Sequence, residues 1–183
     1  KLELNSLDTT LIAAAIFDAT NRQRMIHGEA PLQAVEGLFK AAQEHSFDMT
    51  KHHFFSHESP LEYKYDPQQR VKQYISEYYR VLSGENIAAR GWKGETYLSL
   101  ATKLLEQWMN SPGHRRNILD SEYTFLGCGA SFEEGKQGVY VNATQNFMYL
   151  SEANYYKKKK SFEQTKALAE QGDTWAENSL GNL

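Results

Sequence analysis

The residues able to do chemistry in this sequence cluster at breaks in the chain. It carries six histidines, and His52, His53, His57 and His114 fall beside turns or loops. The segments around two of them are Phe54-Phe55-Ser56-His57-Glu58-Ser59-Pro60 and Trp108-Met109-Asn110-Ser111-Pro112-Gly113-His114-Arg115. A histidine at a proline or glycine break is placed by the backbone rather than by a flexible stem, and function concentrates on such loops. Two imidazoles converging from separate segments could bind a divalent metal and leave coordination positions open. Glu85, in Gly84-Glu85-Asn86-Ile87, and Glu106, in Leu105-Glu106-Gln107-Trp108, could ligate directly or orient the imidazoles. Plainer roles stand beside these. Glu85 could be a helix cap or a solvated strand end, and Glu106 could pair with Lys103 along a helix. His53 and His57 are four apart, the ligand spacing of a helix, but Pro60 and the loop composition favour the plain reading for His53. His27 and His45 are expected as ordinary helix-surface or helix-end residues.

Several other chemistries are excluded. Cys128, between Gly127 and Gly129, is the one cysteine, so there is no intrachain disulfide and no thiolate-rich metal cage. It is expected to be a small buried residue, since no base adjoins it to make a reactive thiolate. The sequence has no Gly-x-Ser-x-Gly elbow and no phosphate-binding glycine loop. Lysine plus arginine is 20 and aspartate plus glutamate is 23, a net charge of −3, which argues against a general electrostatic grip on nucleic acid. The longest apolar run, Leu11 to Phe17, falls well short of the about 20 residues that span a bilayer. The first residues show neither an initiator methionine nor a leader, as expected if a signal peptide has been removed or the chain trimmed. Asn142-Ala143-Thr144 has the form of a glycosylation acceptor, but its strand setting argues against that use.

The elements that must position these residues follow from periodicity. Leu11, Ile12, Ala15, Ile16 and Ala19 predict a helix over 7–29, with Gly28 as its stop. Pro31 opens a second segment. There Leu32, Val35, Leu38, Phe39, Ala42 and Met49 form the buried stripe of a helix reaching about residue 51. An aromatic and polar loop runs from His52 to Pro67, and a short helix over 67–76 starts from that proline. Residues 78–88 read as extended. Gly94 to Met109 forms the third long helix, broken by Ser111-Pro112-Gly113. Phe125–Phe132 and Val139–Tyr149 are strands joined by a hairpin loop over 133–138. Three long helices and a small antiparallel sheet give an α+β layered domain ending near residue 150.

With those motifs in view, the chain resembles the CAP superfamily of cysteine-rich secretory, antigen five and plant pathogenesis-related proteins, and within it the bacterial SCP-like or YkwD-like branch. Asn21-Arg22-Gln23-Arg24 with Gly28 and Pro31-Leu32 looks like the opening helix and turn. Phe55 to Pro60 looks like the first histidine motif, Gly84-Glu85-Asn86-Ile87-Ala88 like the most recognisable string, and Trp108 to Leu119 like the second histidine motif. Gln145-Asn146-Phe147 fits the closing strand. The resemblance covers roughly residues 8–149. It implies a three-layer α-β-α sandwich with a central antiparallel sheet, followed here by a short helical tail. It also implies a surface cleft whose tetrad falls on His57, Glu85, Glu106 and His114, with His57 and His114 as ligands of a divalent metal, zinc foremost. The lack of disulfides sets the chain apart from the animal members.

The tail divides into a linker, 151–161, and a segment, 162–183. Ala169-Glu170-Gln171-Gly172-Asp173-Thr174-Trp175-Ala176-Glu177-Asn178-Ser179-Leu180-Gly181 resembles the core of a Sel-like repeat. Such a fragment cannot bury its face alone, so an array binding a protein partner is expected to continue beyond Leu183. Lys157 to Lys160 reads as a solvated stretch, since residues 151–183 hold five lysines and five acids.

Three functions remain. The first is a secreted, periplasmic or cell-surface binding module, with a cation and a small or extended ligand in its cleft. The second is a metal-dependent hydrolase of peptidase type, with Glu85 or Glu106 as general acid and base. The third is a scaffold. Asn86, Asn117 and Arg24 are expected to tie loops, and Trp92 and Trp108 to belong to the core or cleft wall.

Overall fold

Asp8 accepts a hydrogen bond from Leu11 N at 2.9 Å and so starts α1, Thr9–Ile26. The computed structural model describes residues 7–75, 83–135 and 138–149, together with residue 170. The elements that follow are β1 (Gln33–Ala34), α2 (Glu36–Lys51), a 3-10 turn (Glu62–Lys64) and α3 (Pro67–Lys72). Then come β2 (Ser83–Trp92), α4 (Tyr97–Met109), α5 (Pro112–Leu119), β3 (Phe125–Gly135) and β4 (Gly138–Met148). Among the described residues no helix is long and apolar enough to cross a membrane.

The sheet order is β1-β3-β4-β2. The three long strands pair antiparallel, while β1 adds two residues parallel to β3, so the sheet is mixed. Strand alternation sorts the side chains between two faces. Leu126, Cys128 and Ala130 of β3, with Val141, Ala143 and Phe147 of β4, join α1 and α4 in one core with Ile12, Ile16, Leu104 and Trp108. On the other face, Ser46 Oγ of α2 donates to Thr144 Oγ1 at 2.8 Å. A Cβ at Gly127 or Gly129 would overlap the α2 backbone at Leu38–Phe39 or Ala42–Gln43, so these glycines let the helix lie directly on the sheet. The result is the expected α+β sandwich: α2 on one side, and α1 and α4 on the other.

Four local differences matter. Gln33–Ala34 is a strand rather than part of the second helix, because Gln33 N donates to Thr124 O and the segment pairs with β3. Pro112 does not merely end a helix. It occupies the first turn of α5, where its missing N–H goes unused, so His114 stands on a helix. The hairpin is tighter than expected, Gly135 pairing directly with Gly138. His45, expected at a helix surface, is fully buried.

Asn142 is nearly buried in β4, which leaves no room for a glycan. Cys128 is buried as expected, and burial raises its thiol well above the usual range, so it stays protonated. The chain divides into two units, residues 1–77 with 81–149 and residues 78–80 with 150–183. The expected linker, lysine run and Sel-like segment lie outside the described residues, apart from Glu170, which is helical.

Candidate functional site

Glu85 and Asn86 are consecutive on β2, an outer strand of the sheet, opposite Asn146 and Gln145 of β4. Their side chains therefore leave the strand on opposite faces. Glu85 meets the loop after α2. Its Oε1 accepts from His57 Nδ1 at 2.9 Å. Asn86 meets α5, where its Nδ2 donates to His114 O at 3.1 Å and to Gln145 Oε1 at 3.0 Å. Asn117 Nδ2 returns to Asn86 Oδ1 at 2.9 Å. The far end of α5 is held by the buried Arg24, whose NH1 donates to Ile118 O and Asp120 O at 2.8 Å each. The loop-tying roles expected of Asn86, Asn117 and Arg24 are thus realised in bonds, and Trp108 is core, its Nε1 donating to Ile87 O at 3.0 Å.

The loop bearing His57 is pinned from below. His45 Nε2 lies 3.1 Å from Ser56 O, and Ser59 N donates to Tyr65 O at 2.8 Å. The buried Lys64 Nζ pairs with Glu44 Oε1 at 2.6 Å and Asp48 Oδ2 at 3.0 Å, fastening the loop to α2. Arg70, on α3, is fully buried and donates through NH2 to both oxygens of Glu85, at 2.9 and 2.8 Å. Asn146, in the amide orientation that satisfies its neighbours, donates to Glu85 Oε2 at 3.1 Å. An ionised carboxylate takes only donors, so Nδ1 of His57 carries hydrogen and Nε2 is the nitrogen turned away from Glu85.

His57 is half-exposed, while the Glu85 side chain is 2% exposed. His114 is half-buried. Its imidazole is held below its usual range, first by burial and then by the charge of His57. Of the four expected residues, His57 and Glu85 are thus in direct contact. Glu106 is exposed on α4, with no hydrogen bond or ion pair to the other three, and Lys103 pairs instead with Glu95 at 2.9 Å. His52 is exposed at the end of α2. His53 stands 3.8 Å from Glu133 Oε2.

As a four-ligand cage for a metal the set does not fit. Among the described residues no group of three or more His, Cys, Asp or Glu side chains gathers to hold one. Of the set, only the two imidazoles offer ring nitrogens, Nε2 of His57 and the ring of His114, that take no hydrogen bond among the described residues. Sequence reasoning missed Arg70 and His45 as parts of the site. His45 had a signal, since it continues the stripe Leu38, Ala42, Met49 at helical spacing. For Arg70 no spacing or motif gave one.

The profile of the CAP family, described as the cysteine-rich secretory protein family, matches residues 17–147. The Bacillus subtilis protein YkwD is 36% identical over 114 residues, which is 62% of this chain and 40% of that protein. An extracellular SCP-domain protein of Bacillus anthracis superposes with a TM-score of 0.59 at 32% identity, over 77% of this chain and 41% of that one. An outer surface protein of Borrelia burgdorferi shares the fold, with a TM-score of 0.61 at 16% identity, over 79% and 97%. The chain spans about two fifths or less of the curated relatives it matches.

Proposed function

On the premise that the chain belongs to the CAP family of cysteine-rich secretory proteins, as the match over residues 17–147 shows, we propose that it is an extracellular binding module. Its cleft takes a divalent cation through His57 and His114 and leaves further coordination positions for a small or extended ligand. The observation that carries this is the bond from His57 Nδ1 to Glu85, which leaves Nε2 of His57, like the ring of His114, with no hydrogen bond among the described residues. Zinc suits imidazole donors and is the cation to try first. Phe55 and Tyr65, 53% and 46% exposed on the loop that carries His57, offer apolar surface to the ligand. An extracellular place is supported by the Bacillus anthracis relative, which is itself an extracellular protein. The tail, 162–183, enters as a Sel-like protein-binding segment, supported by small Ala169, Gly172, Ala176 and Gly181. A longer chain that gains protease resistance there would support it, and one that stays equally cleavable would not.

The test is calorimetric titration of metal-stripped protein with zinc at pH 7.5. Binding should vanish in H57A/H114A, and in the wild type it should weaken between pH 8 and pH 5 as protons compete with the cation for the ligating nitrogens. Affinity unchanged by the double substitution, or from pH 8 to pH 5, would defeat the reading.

A second reading is hydrolysis. An imidazole oriented through Nδ1 by a carboxylate is the arrangement of a general base, and the bond between His57 and Glu85 has that form. Here His57 takes the proton and Glu85 orients it. Turnover of a peptide panel, lost in H57A, would support this reading, and a panel with no turnover above buffer would sink it.

A further inference from the structure

Both oxygens of Glu85 are engaged by buried donors. A carboxylate offers about four lone-pair sites. Oε1 takes His57 Nδ1 at 2.9 Å and Arg70 NH2 at 2.9 Å, while Oε2 takes Arg70 NH2 at 2.8 Å and Asn146 Nδ2 at 3.1 Å. A cation arriving at Glu85 would compete with these donors and set its charge against that of Arg70, whose side chain has no exposed surface. Losing the carboxylate to the cation would leave a buried guanidinium without its counter-charge, the unfavourable way to break such a pair.

Arg70 also reaches His57 from a second direction. The same NH2 donates to His57 O at 2.9 Å, and NH1 donates to Lys64 O at 2.9 Å and Tyr65 O at 3.2 Å. One planar guanidinium thus holds the main chain of His57, the carboxylate partner of its ring and the returning strand of the loop. A fork with fixed geometry can do this, whereas a lysine, with a single point charge, cannot span the same acceptors.

We infer that Arg70 is a positioning residue. It reserves Glu85 for His57, fixes that ring as the tautomer with hydrogen on Nδ1, and removes Glu85 from the ligand set of the cleft. The cation site is then built from imidazole and open positions, which favours zinc, copper or nickel over magnesium or calcium. The cation part rests on the proposed function, but the tautomer part does not.

Nitrogen-15 spectra of the metal-free protein read the tautomer directly. In the wild type His57 should show one form, with hydrogen on Nδ1. In R70M that preference should be lost while the His114 signals stay in place, and R70K should restore it only in part. Zinc added to the wild type should shift the ring nitrogens of His57 and His114 and leave the carboxyl carbon of Glu85 where it was. A wild-type His57 with hydrogen on Nε2, a folded R70M with unchanged His57 signals, or a Glu85 carbon that moves with the imidazoles would each overturn the inference. If zinc shifts nothing, the cation reading fails and the wild-type tautomer still decides the role of Arg70. If neither variant folds, the wild-type tautomer again decides.

Discussion

Glu85 and Asn86 are neighbours in the chain and anchor the two histidine segments from opposite faces of one strand. Glu85 holds the ring of His57 at 2.9 Å, and Asn86 holds the carbonyl of His114 at 3.1 Å. Alternation along the outer strand β2 therefore sets which layer each histidine segment joins.

Asn86 is buried, and its amide serves His114 O, Gln145 Oε1 and Asn117. N86A leaves these groups without partners and should cost about 1–3 kcal/mol by urea unfolding. Zinc affinity should fall with it, since α5 loses its tie to β2. Loss of stability with zinc affinity intact would show that Asn86 does not place His114.

Arg70 and Glu85 form a buried pair, with side chains 0% and 2% exposed. R70A should destabilise the protein by roughly 3–5 kcal/mol, because it strands the carboxylate. Replacing both members by apolar residues of similar volume, R70M/E85L, should recover much of that loss while leaving His57 unpositioned. A double variant as unstable as R70A alone would show that the penalty lies in packing and in the lost bonds to His57 O, Lys64 O and Tyr65 O rather than in the orphaned charge.

Two glycines make a contrasting pair. G129A pushes a Cβ into the α2 backbone, which cannot yield, so a loss of at least about 2 kcal/mol is expected. G113A meets nothing within 4 Å in the first turn of α5 and should be neutral or stabilising by up to about 1 kcal/mol. Thermal unfolding of the two proteins separates these outcomes. Equal midpoints would contradict the close approach of α2 to the sheet.

His45 supplies a pH dependence. Burial lowers its imidazole from 6.5 to about 4, against the opposing pull of Glu85. Above pH 6.5 the ring is neutral whether the chain is folded or unfolded. Between 6.5 and 4 only the unfolded chain takes the proton, so stability drains away as pH falls through that window, by up to about 3 kcal/mol. H45Q, which keeps a donor for Ser56 O, should flatten that slope. Glu95 acts in a lower window. Burial pushes its carboxyl up, but Lys103 and backbone amides overcome this and hold it at about 2, so its contribution is lost below pH 4.5. An H45Q curve as steep as wild type between pH 6.5 and 4.5 would assign the effect elsewhere.

The sequence made much of this legible, and its failures have physical causes. Helical stripes located α1, α2 and α4 because each buries one face. In Gly84-Glu85-Asn86-Ile87 the glutamate reads as chemistry and the asparagine as a loop tie, but only strand pairing shows that they face opposite ways. Gln33–Ala34 misled because two residues are too few to carry a strand period, and tertiary pairing with β3 decides their state. Pro112 read as a break because proline both ends one helix and opens the next. Arg70 was invisible, since an arginine in a short helix looks solvated until the fold brings Glu85 beneath it. Glu106 reads as a carboxylate beside the second histidine segment and joins the tetrad through the family resemblance, but the structure leaves it exposed.

The central claim is a cation site of two imidazoles rather than of four residues. It is tested most directly by zinc titration of metal-stripped H57A, H114A and E106Q beside wild type at pH 7.5. Each histidine substitution should abolish or cut binding at least about tenfold, a change of 1.4 kcal/mol, while E106Q binds as wild type does. Zinc affinity that survives H114A, or that is lost in E106Q, would contradict the account.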